Sequence, residues 1–255
     1  MKPRPYILAE TNWKDVRSQQ YQVAVLPWGA TEAHNYHLPY GTDNIQCDFI
    51  ASASAALAWD KGAKVIVLPT VPFGVNTGQM DVPLCLNMNP TTQLALLKDL
   101  VRVLSLHGIK KLVILNGHGG NNFKSMIREL SVSFPEVFVC SANWYQAVDQ
   151  KPFFKEPGDH AGEMETSCIL YIQPHWVLSL SEAGSGAAKQ FKFDGMKKGW
   201  VTAQRAWTQV TADTGVGDPS HATADKGEAY LQATAQEISS FLVEFAVTPA
   251  DQLYQ

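Results

Sequence analysis

The stretch KLVILNGHGGNN, residues 111–122, joins an apolar run of strand length to a turn that is rich in glycine. A near-continuous aliphatic run is typical of a strand that is buried on both faces of a sheet. Three further runs of this kind occur at residues 23–26, 64–68 and 137–140. The glycines that follow the first run predict that its strand ends in a tight turn.

Apolar residues recur at helical spacing outside these runs. The clearest stretches begin at Ile45, Leu94 and Leu231. Alternating strands and helices predict an α/β fold, a three-layer αβα sandwich with a mainly parallel sheet. Because no internal repeat, low-complexity tract or flexible linker interrupts this pattern, we expect residues 1–255 to form a single domain.

The composition excludes several classes of protein. Hydrophobic residues make up 45% of the chain and charged residues 17%, which favours a packed core over disorder. The formal net charge of -4 provides no attraction to nucleic acid or to an anionic membrane. The sequence has no signal-peptide pattern and no apolar run long enough to span a membrane. Its four cysteines are scattered, so we expect free thiols and a cytoplasmic location.

The first chemical motif is LPWGATEAHNYHLPYGTD, residues 26–43, which follows the first predicted strand. Residues two apart in an extended segment point the same way, so Glu32 and His34 would project together. Asp43 comes after a turn. Glutamate, aspartate and histidine are ligands of Zn²⁺ and Mn²⁺. The alternative is that Asp43 is only the N-cap or first-turn acid of the following helix.

The second motif is NGHGGNN, in which His118 follows the end of a predicted strand. Open α/β sheets place their binding sites at that edge, and Gly119 allows the backbone to approach a ligand closely. The alternatives are a tight turn whose histidine bonds only to the backbone, or a phosphate-binding loop. The lysine of a P-loop and the glycine spacing of a dinucleotide-binding loop are both absent.

The third motif is DHAGEMETS, residues 159–167. If a helix begins near Ala161, Glu165 shares an apolar face with Ile169 and Ile172. A buried carboxylate is costly unless it is paired or binds a metal, so Glu165 is the candidate ligand. Glu163 would lie on a more polar face. The alternative is that Glu165 forms a salt bridge or lies at the edge of the apolar stripe.

The least regular part of the chain is the 184–214 segment, which carries Phe191, Phe193, Trp200 and Trp207 among lysines. It could form a lid or an oligomer contact, or be an ordinary surface excursion.

Together these motifs resemble the creatininase family. The family pattern is approximately PxGSxEQHGPHLPxxTD, NGHGGN, HAGExETS and GDPxxAxxEKG. This chain reads PWGATEAHNYHLPYGTD, NGHGGN, HAGEMETS and GDPSHATADKG in the same order. The resemblance implies α/β subunits that assemble as a homo-oligomer, a hexamer in this family. It also implies two divalent metal ions, zinc or manganese, with iron as an alternative.

The resemblance assigns roles to particular residues. The implied metal ligands are Glu32, His34, Asp43, His118 and Glu165, with Asp43 bridging the two ions. His160 matches the family's site histidine. We predict that His160 and Glu165 are catalytic, and that the substrate contacts Asn76, Gly119, Trp144 and His160. We expect His37 to orient the first motif.

The chain also departs from the family pattern. Gly120 stands where creatinine-hydrolysing members carry a ligand glutamate, and their Trp-Asp pair before the site histidine is missing. The usual YGxSxxHxxxPGT segment reads FGVNTGQMDVPLC, so Asn76 and Gln79 replace serine and histidine. The metal centre therefore looks retained and the substrate pocket changed.

The implied reaction is hydrolysis of a non-peptide or small cyclic C–N amide bond by a metal-bridging hydroxide. His160 would bind the carbonyl oxygen or protonate the leaving nitrogen. Three alternatives remain. They are deformylation of a formylamino-pyrimidine nucleotide, hydrolysis of a small peptide, and a catalytically silent protein that only binds a ligand.

Overall fold

The computed structural model describes residues 3–156, 158–250 and 252–254. Four parallel strands form one sheet in the order β2-β1-β3-β4. They are β1 (Val23–Trp28), β2 (Val65–Val67), β3 (Lys111–Asn116) and β4 (Phe138–Asn143). Each run predicted from the sequence forms one of these strands. The parallel sheet of the predicted α/β fold is thereby confirmed.

Strand β4 differs most from its predicted range, because it continues through Ser141 to Asn143. It lies at the edge of the sheet and is only partly buried. An edge strand tolerates polar residues, so the end of the apolar run did not mark the end of the strand.

Helices cover both faces of the sheet. The long ones are α2 (Thr42–Asp60), α3 (Pro90–Leu106), α4 (Lys124–Ser133), α5 (Glu163–Ile172) and α8 (Ala224–Val247). The short ones are α1 (Trp13–Val16), α6 (Asp194–Lys197) and α7 (Trp207–Val210). Single 3-10 turns occupy Leu8–Glu10, Trp144–Gln146, Pro174–Trp176 and Leu180–Glu182.

The side chains of β1 alternate between two hydrophobic clusters. Val23 and Val25 pack with apolar residues of α2, α5 and α8 on one face. Ala24, Leu26 and Trp28 pack with residues of α3 and α4 on the other. Every residue of β1 and β3 is buried, as expected for central strands between two helical layers. The structure therefore has the three predicted layers.

The strand order creates a switch point between β1 and β3. The chain leaves β1 toward β2 on one side, and it leaves β3 toward β4 on the other. Connections that diverge in this way open a crevice at the carboxyl ends of the two strands. The first and second motifs follow β1 and β3 directly, so both lie at this crevice.

Helix α5, which carries part of the third motif, packs against α2 and α8. A Cβ atom at Gly227 of α8 would lie 2.0 Å from the carbonyl oxygen of Ser167, so this close crossing requires glycine. Gly227, in the sequence DKG at residues 225–227, thus allows α5 to pack closely against α8, and this packing positions the third motif. Among the described residues, none of the helices has both the length and the apolar character that a membrane crossing requires.

Candidate metal centre and active site

Six buried or nearly buried acidic and imidazole side chains meet at the carboxyl ends of β1 and β3. They form three overlapping groups in which the possible ligand atoms lie within 4.8 Å of one another. The groups are Glu32, His34 and His160; Glu32, Asp43 and His118; and His34, Asp43 and Glu165. The structure thus brings together all five ligand candidates and His160.

Asp43 lies between two histidines. Its Oδ1 is 3.0 Å from His34 Nε2, and its Oδ2 is 3.1 Å from His118 Nδ1. Asp43 does occupy the first turn of α2, as the alternative interpretation had it. Its carboxylate nevertheless faces these two imidazoles, and the N-cap position belongs to Gly41. This position suits a carboxylate shared by two metal ions.

Each of the three histidines in the cluster has one ring nitrogen against a backbone carbonyl. His34 Nδ1 lies 3.2 Å from the oxygen of Glu32, and His118 Nε2 lies 3.1 Å from that of Val75. His160 Nε2 lies 2.8 Å from the oxygen of Ala33. A carbonyl can only accept, so each of these nitrogens carries the proton. The other ring nitrogen of each histidine faces the carboxylates, which is the arrangement of metal-binding histidines.

Two carboxylate oxygens in the cluster have no hydrogen-bond partner among the described residues: Glu32 Oε1 and Asp43 Oδ2. They nevertheless lie only 2.8 Å and 3.1 Å from His118 Nδ1. Two ligands of one tetrahedral zinc ion are about 3.4 Å apart, given metal–ligand distances of about 2.1 Å. Close approach without hydrogen-bond geometry fits atoms that point to a common ion. The residues therefore fit a divalent metal.

Burial and charge shift the pKa values of the cluster strongly. Burial lowers the pKa of His34, but the carboxylates of Asp43, Glu165 and Glu32 together outweigh burial and raise it to about 10. The pKa of His118 is likewise raised, chiefly by Glu32. Burial raises the pKa of Glu165 to about 7, and the Asp43 charge adds to this effect. Without a metal, protons on His34 and His118 balance the carboxylates.

Glu165 extends from α5 to the cluster. Its Oε2 lies 3.9 Å from His34 Nε2 and accepts a hydrogen bond from the backbone N–H of Ala161. The side chain is 12% exposed, which leaves it open to the pocket. The geometry places Glu165 in the cluster rather than in a salt bridge to a lysine or arginine.

Glu163 lies on α5 with Thr166 and Ser167, the polar face that the sequence predicts, but this face is buried. The Glu163 side chain is fully buried and accepts a hydrogen bond from Lys226 of α8. It also accepts from the backbone N–H groups of Lys155 and Glu156, both at 2.7 Å. The lysine is distant in sequence, so the periodicity of α5 alone could not reveal this pair.

A small pocket of about 90 Å³ opens over the cluster. Three of the residues for which substrate contacts are predicted, Asn76, Gly119 and His160, line it. Trp144 does not, which corrects that prediction. Strand β4 ends in a 3-10 turn that directs the Trp144 ring into the core, where it is 1% exposed and packs on Tyr230.

Two glycines, Gly74 and Gly120, leave the space that the His118 ring occupies. A Cβ atom at Gly120 would lie 2.4 Å from both His118 Nε2 and the oxygen of Val75. A Cβ atom at Gly74 would lie 2.5 Å from the His118 ring. This backbone therefore leaves no room for a side chain at position 120, and a carboxylate for the cluster has to come from elsewhere.

Three pocket residues received no role from the sequence. Gln79 Nε2 donates a hydrogen bond to Glu32 Oε2 and so orients that carboxylate. The Trp207 ring lies edge-on to His160, with centroids 5.3 Å apart. The guanidinium of Arg205 covers the Trp207 ring at 4.5 Å. Two features of the sequence could have indicated these roles. One is that Gln79 stands where the family usually has histidine, and the other is the aromatic content of the 184–214 segment.

The 184–214 segment is tied at both ends to Asn35, the neighbour of His34. The Asn35 side chain accepts from the N–H of Gly184 at 2.8 Å and donates to its carbonyl at 3.1 Å. The Asn35 N–H donates to Thr214 Oγ1 at 2.9 Å. Asn35 has a φ of 55°, in the left-handed region that asparagine tolerates. The segment thus forms a closed loop that is anchored beside the cluster and supplies one wall of the pocket.

His37 stands outside the cluster. Its Nε2 lies 2.8 Å from Thr166 Oγ1 of α5, so it links the first motif to the third. Burial lowers its pKa to about 4, and it is therefore neutral at physiological pH. This contact fits the predicted orienting role.

The sequence profile of a family described as creatininase, creatinine amidohydrolase, matches residues 9–242. The chain belongs to the creatininase family. This confirms the resemblance seen in the motifs and makes the protein an amidohydrolase that acts on C–N bonds.

Two curated relatives of this creatininase-family protein have different activities. A mycofactocin precursor peptide peptidase of Mycobacterium tuberculosis is 27% identical over 221 residues, which cover 84% of this chain and 81% of the relative. A creatinine amidohydrolase of Pseudomonas putida is 23% identical over 199 residues, covering 67% and 73%. Membership in the creatininase family therefore does not by itself name the substrate.

Solved creatininase structures share this fold. A Bacteroides fragilis protein, provisionally described as a creatinine amidohydrolase, is 41% identical with a TM-score of 0.92, and the match covers 98% of this chain and 99% of that one. Two creatininase structures, one described as Zn-Zn type and one as Mn, have TM-scores of 0.75 at 23% identity. They cover 94% of this chain and 97% and 98% of their own.

Proposed function

We propose that the protein is a two-metal amidohydrolase that cleaves a C–N bond in a small amide other than creatinine. One observation carries the proposal. Three buried histidines, His34, His118 and His160, each donate one ring N–H to a backbone carbonyl and turn the other nitrogen toward shared carboxylates. A hydrogen bond from the outer ring nitrogen to a backbone carbonyl fixes the tautomer of each imidazole, which is typical of metal sites.

The proposed ligands fall into two sets that share Asp43. Glu32 and His118 would complete one set, and His34 and Glu165 the other. The metals we propose are zinc or manganese, as in the two solved creatininases, with iron as an alternative. When bound, two divalent ions polarise an amide carbonyl and lower the pKa of a water molecule toward neutrality.

His160 is the proposed proton carrier. Its Nε2 is committed to the carbonyl of Ala33, while its Nδ1 lies 3.8 Å from Glu32 Oε1 and carries no proton in the neutral ring. Burial and the neighbouring His34 lower the pKa of His160, so the ring is neutral at physiological pH. Nδ1 can then take a proton from the attacking water and pass it to the leaving nitrogen.

The proposed substrate contacts are the pocket residues Asn76, Gly119 and His160. Asn76 Oδ1 is buried and has no hydrogen-bond partner among the described residues, while the Asn76 amide nitrogen donates to the carbonyl of Leu86. Its oxygen can therefore accept from an N–H group of the substrate. The volume of about 90 Å³ suits a small amide or one end of a longer molecule.

A second candidate is hydrolysis of a small peptide. The Mycobacterium tuberculosis relative, a peptide peptidase, matches over 84% of this chain and favours this candidate. A peptide would place one residue over the cluster and extend the rest beyond Arg205, where the pocket adjoins a second groove.

Metal analysis combined with turnover tests the proposal. The protein is purified, its bound metals are quantified, and cyclic amides, N-acyl amino acids and dipeptides are assayed with Zn²⁺ and with Mn²⁺. We expect two ions per chain and hydrolysis of at least one class, both lost in Asp43→Asn. A folded protein that binds two ions but hydrolyses none of these amides would instead be a catalytically silent member of the family.

The assembly and the location stay predictions. We propose a homo-oligomer, hexameric by family resemblance, and a cytoplasmic protein with four free thiols, which the structure leaves unpaired. Light scattering during gel filtration measures the assembly directly.

A further inference from the structure

A groove of about 620 Å³ lies beside the active-site pocket and is formed largely by the 184–214 segment. Its lining, as far as the structure describes the chain, includes four cationic side chains, Lys189, Lys192, Lys197 and Arg205, and no carboxylate. The chain as a whole has a formal net charge of -4. A cluster of positively charged side chains in a protein of negative net charge favours the binding of a negatively charged group in this groove.

The groove and the pocket meet at Arg205, which lines both. Its guanidinium stacks on Trp207, and the Trp207 ring in turn contacts His160. A ligand that passes Arg205 therefore extends from the proposed metal centre into the groove. The groove also has apolar walls, including Phe191 and Val210, which can contact the carbon skeleton of such a ligand.

Arg205 retains capacity for a further partner. A guanidinium has five N–H donors, and among the described residues Arg205 directs one of them, at 2.6 Å, to Asp159. The two side chains are 40% and 55% exposed, so their pairing is weak and can yield to a better partner. Arginine binds carboxylate and phosphate groups through two parallel hydrogen bonds, which gives it geometric selectivity for them.

The surrounding structure holds Arg205 in place. The next residue but one, Trp207, donates its backbone N–H to Gly78 and its indole N–H to Thr214, both at 2.9 Å. The Asp213 carboxylate accepts from the N–H groups of Gly186 and Gly215, which closes the base of the segment. The backbone that carries Arg205 is therefore in place before a ligand binds, which limits the ordering that binding requires.

We propose that the amide substrate carries an anionic group, and that the cationic groove binds this group with Arg205 as the specificity-determining residue. The inference rests on the proposed function, because it concerns the substrate of the same site. The shared chemistry is a carboxylate or a phosphate joined to the scissile amide by an apolar spacer.

Binding of matched amide pairs to the metal-loaded protein tests this inference. The carboxylate probes are N-benzoyl derivatives of glycine, β-alanine and γ-aminobutyrate, and their neutral partners are the corresponding carboxamides. A third pair, N-benzoylethanolamine phosphate and N-benzoylethanolamine, distinguishes phosphate from carboxylate. Calorimetry gives the affinity of each probe, and amine release, measured in parallel, gives its turnover.

The wild type should bind at least one anionic probe about 10-fold or more tightly than its neutral partner, as expected for a charge-assisted hydrogen bond. Arg205→Met keeps the length of the side chain but should abolish this preference. Lys192→Met combined with Lys197→Met should reduce the preference. Arg128→Met, which removes an exposed arginine of α4, should leave it unchanged.

Equal binding within every pair, or no binding of any probe, would overturn the inference. So would a preference that survives Arg205→Met, because the anion would then bind elsewhere, including at the metal ions. Failure of the proposed function looks different. In that case none of the bound amides is hydrolysed, whether or not the charged and neutral probes bind differently.

Discussion

Glu163 and Glu165 lie two residues apart on α5, and their carboxylates face different partners. Glu165 faces His34 at 3.9 Å in the candidate metal cluster. Glu163 pairs with Lys226 of α8. Two similar acids in one short motif therefore have separable functions, one in the proposed chemistry and one in the fold.

Replacement of each acid by glutamine should separate these functions. Glu165→Gln should remove a metal ion or lower turnover by more than about 10–100-fold, the loss typical when a group that only hydrogen-bonds to a metal ligand is removed. Glu163→Gln should keep its metals, because that side chain does not reach the cluster. Metal content per chain and turnover of an accepted amide measure both effects. Equal metal content in the wild type and Glu165→Gln, with normal turnover, would refute the assignment.

Lys226 should contribute strongly to stability. Lys226→Met leaves the buried Glu163 carboxylate without its cation, which should cost about 1–3 kcal/mol, because Lys226 is itself 26% exposed and Glu163 keeps its two backbone hydrogen bonds. The control is Lys98→Met, which breaks the exposed pair with Glu129 and should cost less than about 1 kcal/mol. Denaturant unfolding measures both changes. Adding Glu163→Gln to Lys226→Met should restore part of the loss, and no restoration would argue against a pairwise origin.

Gln79 should affect metal affinity although it is no ligand. Gln79→Leu removes the hydrogen bond to Glu32 Oε2 and should weaken metal binding by about 10–100-fold. Gln204→Leu makes the same substitution at another pocket residue and should leave the affinity unchanged. Competition with a chelator gives both affinities. Equal affinities in the two variants would mean that Gln79 does not support Glu32.

Metal binding should release protons. The pKa of His34 is raised to about 10 without metal, so its Nε2 is protonated at pH 7 and a metal ion must displace that proton. Affinity should therefore fall as the pH decreases, by about tenfold per unit for each proton displaced. Calorimetry at pH 7 in two buffers of different ionisation enthalpy counts the protons released. A count of zero would contradict the raised pKa.

Creatinine should be a poor substrate. A flat polar ring needs an open stacking surface, and a site built for such groups rejects analogues strongly. Trp144 is buried in the core, and Arg205 already covers one face of the Trp207 ring. Steady-state assays with Zn²⁺ and with Mn²⁺ should give far less than the ordinary enzyme turnover of about 1–10³ s⁻¹. Turnover within that range would show that another group replaces the missing Trp-Asp pair.

The sequence predicted the strands of the sheet and the edge at which the first and second motifs lie. Residues 23–26 and 111–115 form central strands, so their apolar runs reveal both the fold and the edge at which Glu32 and His118 lie. Once the sheet is parallel, both motifs lie at the same edge. That they meet there depends on β1 and β3 being neighbours, and the strand order came from the structure.

The features that the sequence did not reveal depend on contacts between distant segments. Trp144 turns into the core because Tyr230 of α8 offers it a surface, and Glu163 is buried because Lys226 approaches it. Arg205 and Trp207 reach the pocket only because Asn35 anchors their segment beside His34. None of these partners can be read from the spacing of residues within one motif.

The anchoring of the 184–214 segment by Asn35 has a consequence for how such enzymes diverge. The candidate metal cluster is built on the sheet ends and on α2 and α5, whereas the substrate-facing wall is a loop tied down at its base. Changes along this loop can create a new specificity while the hydrolytic machinery is inherited intact. Gln79 lies outside this loop, but it lines the same pocket and bonds to Glu32, so exchanges there can alter selectivity and metal chemistry together.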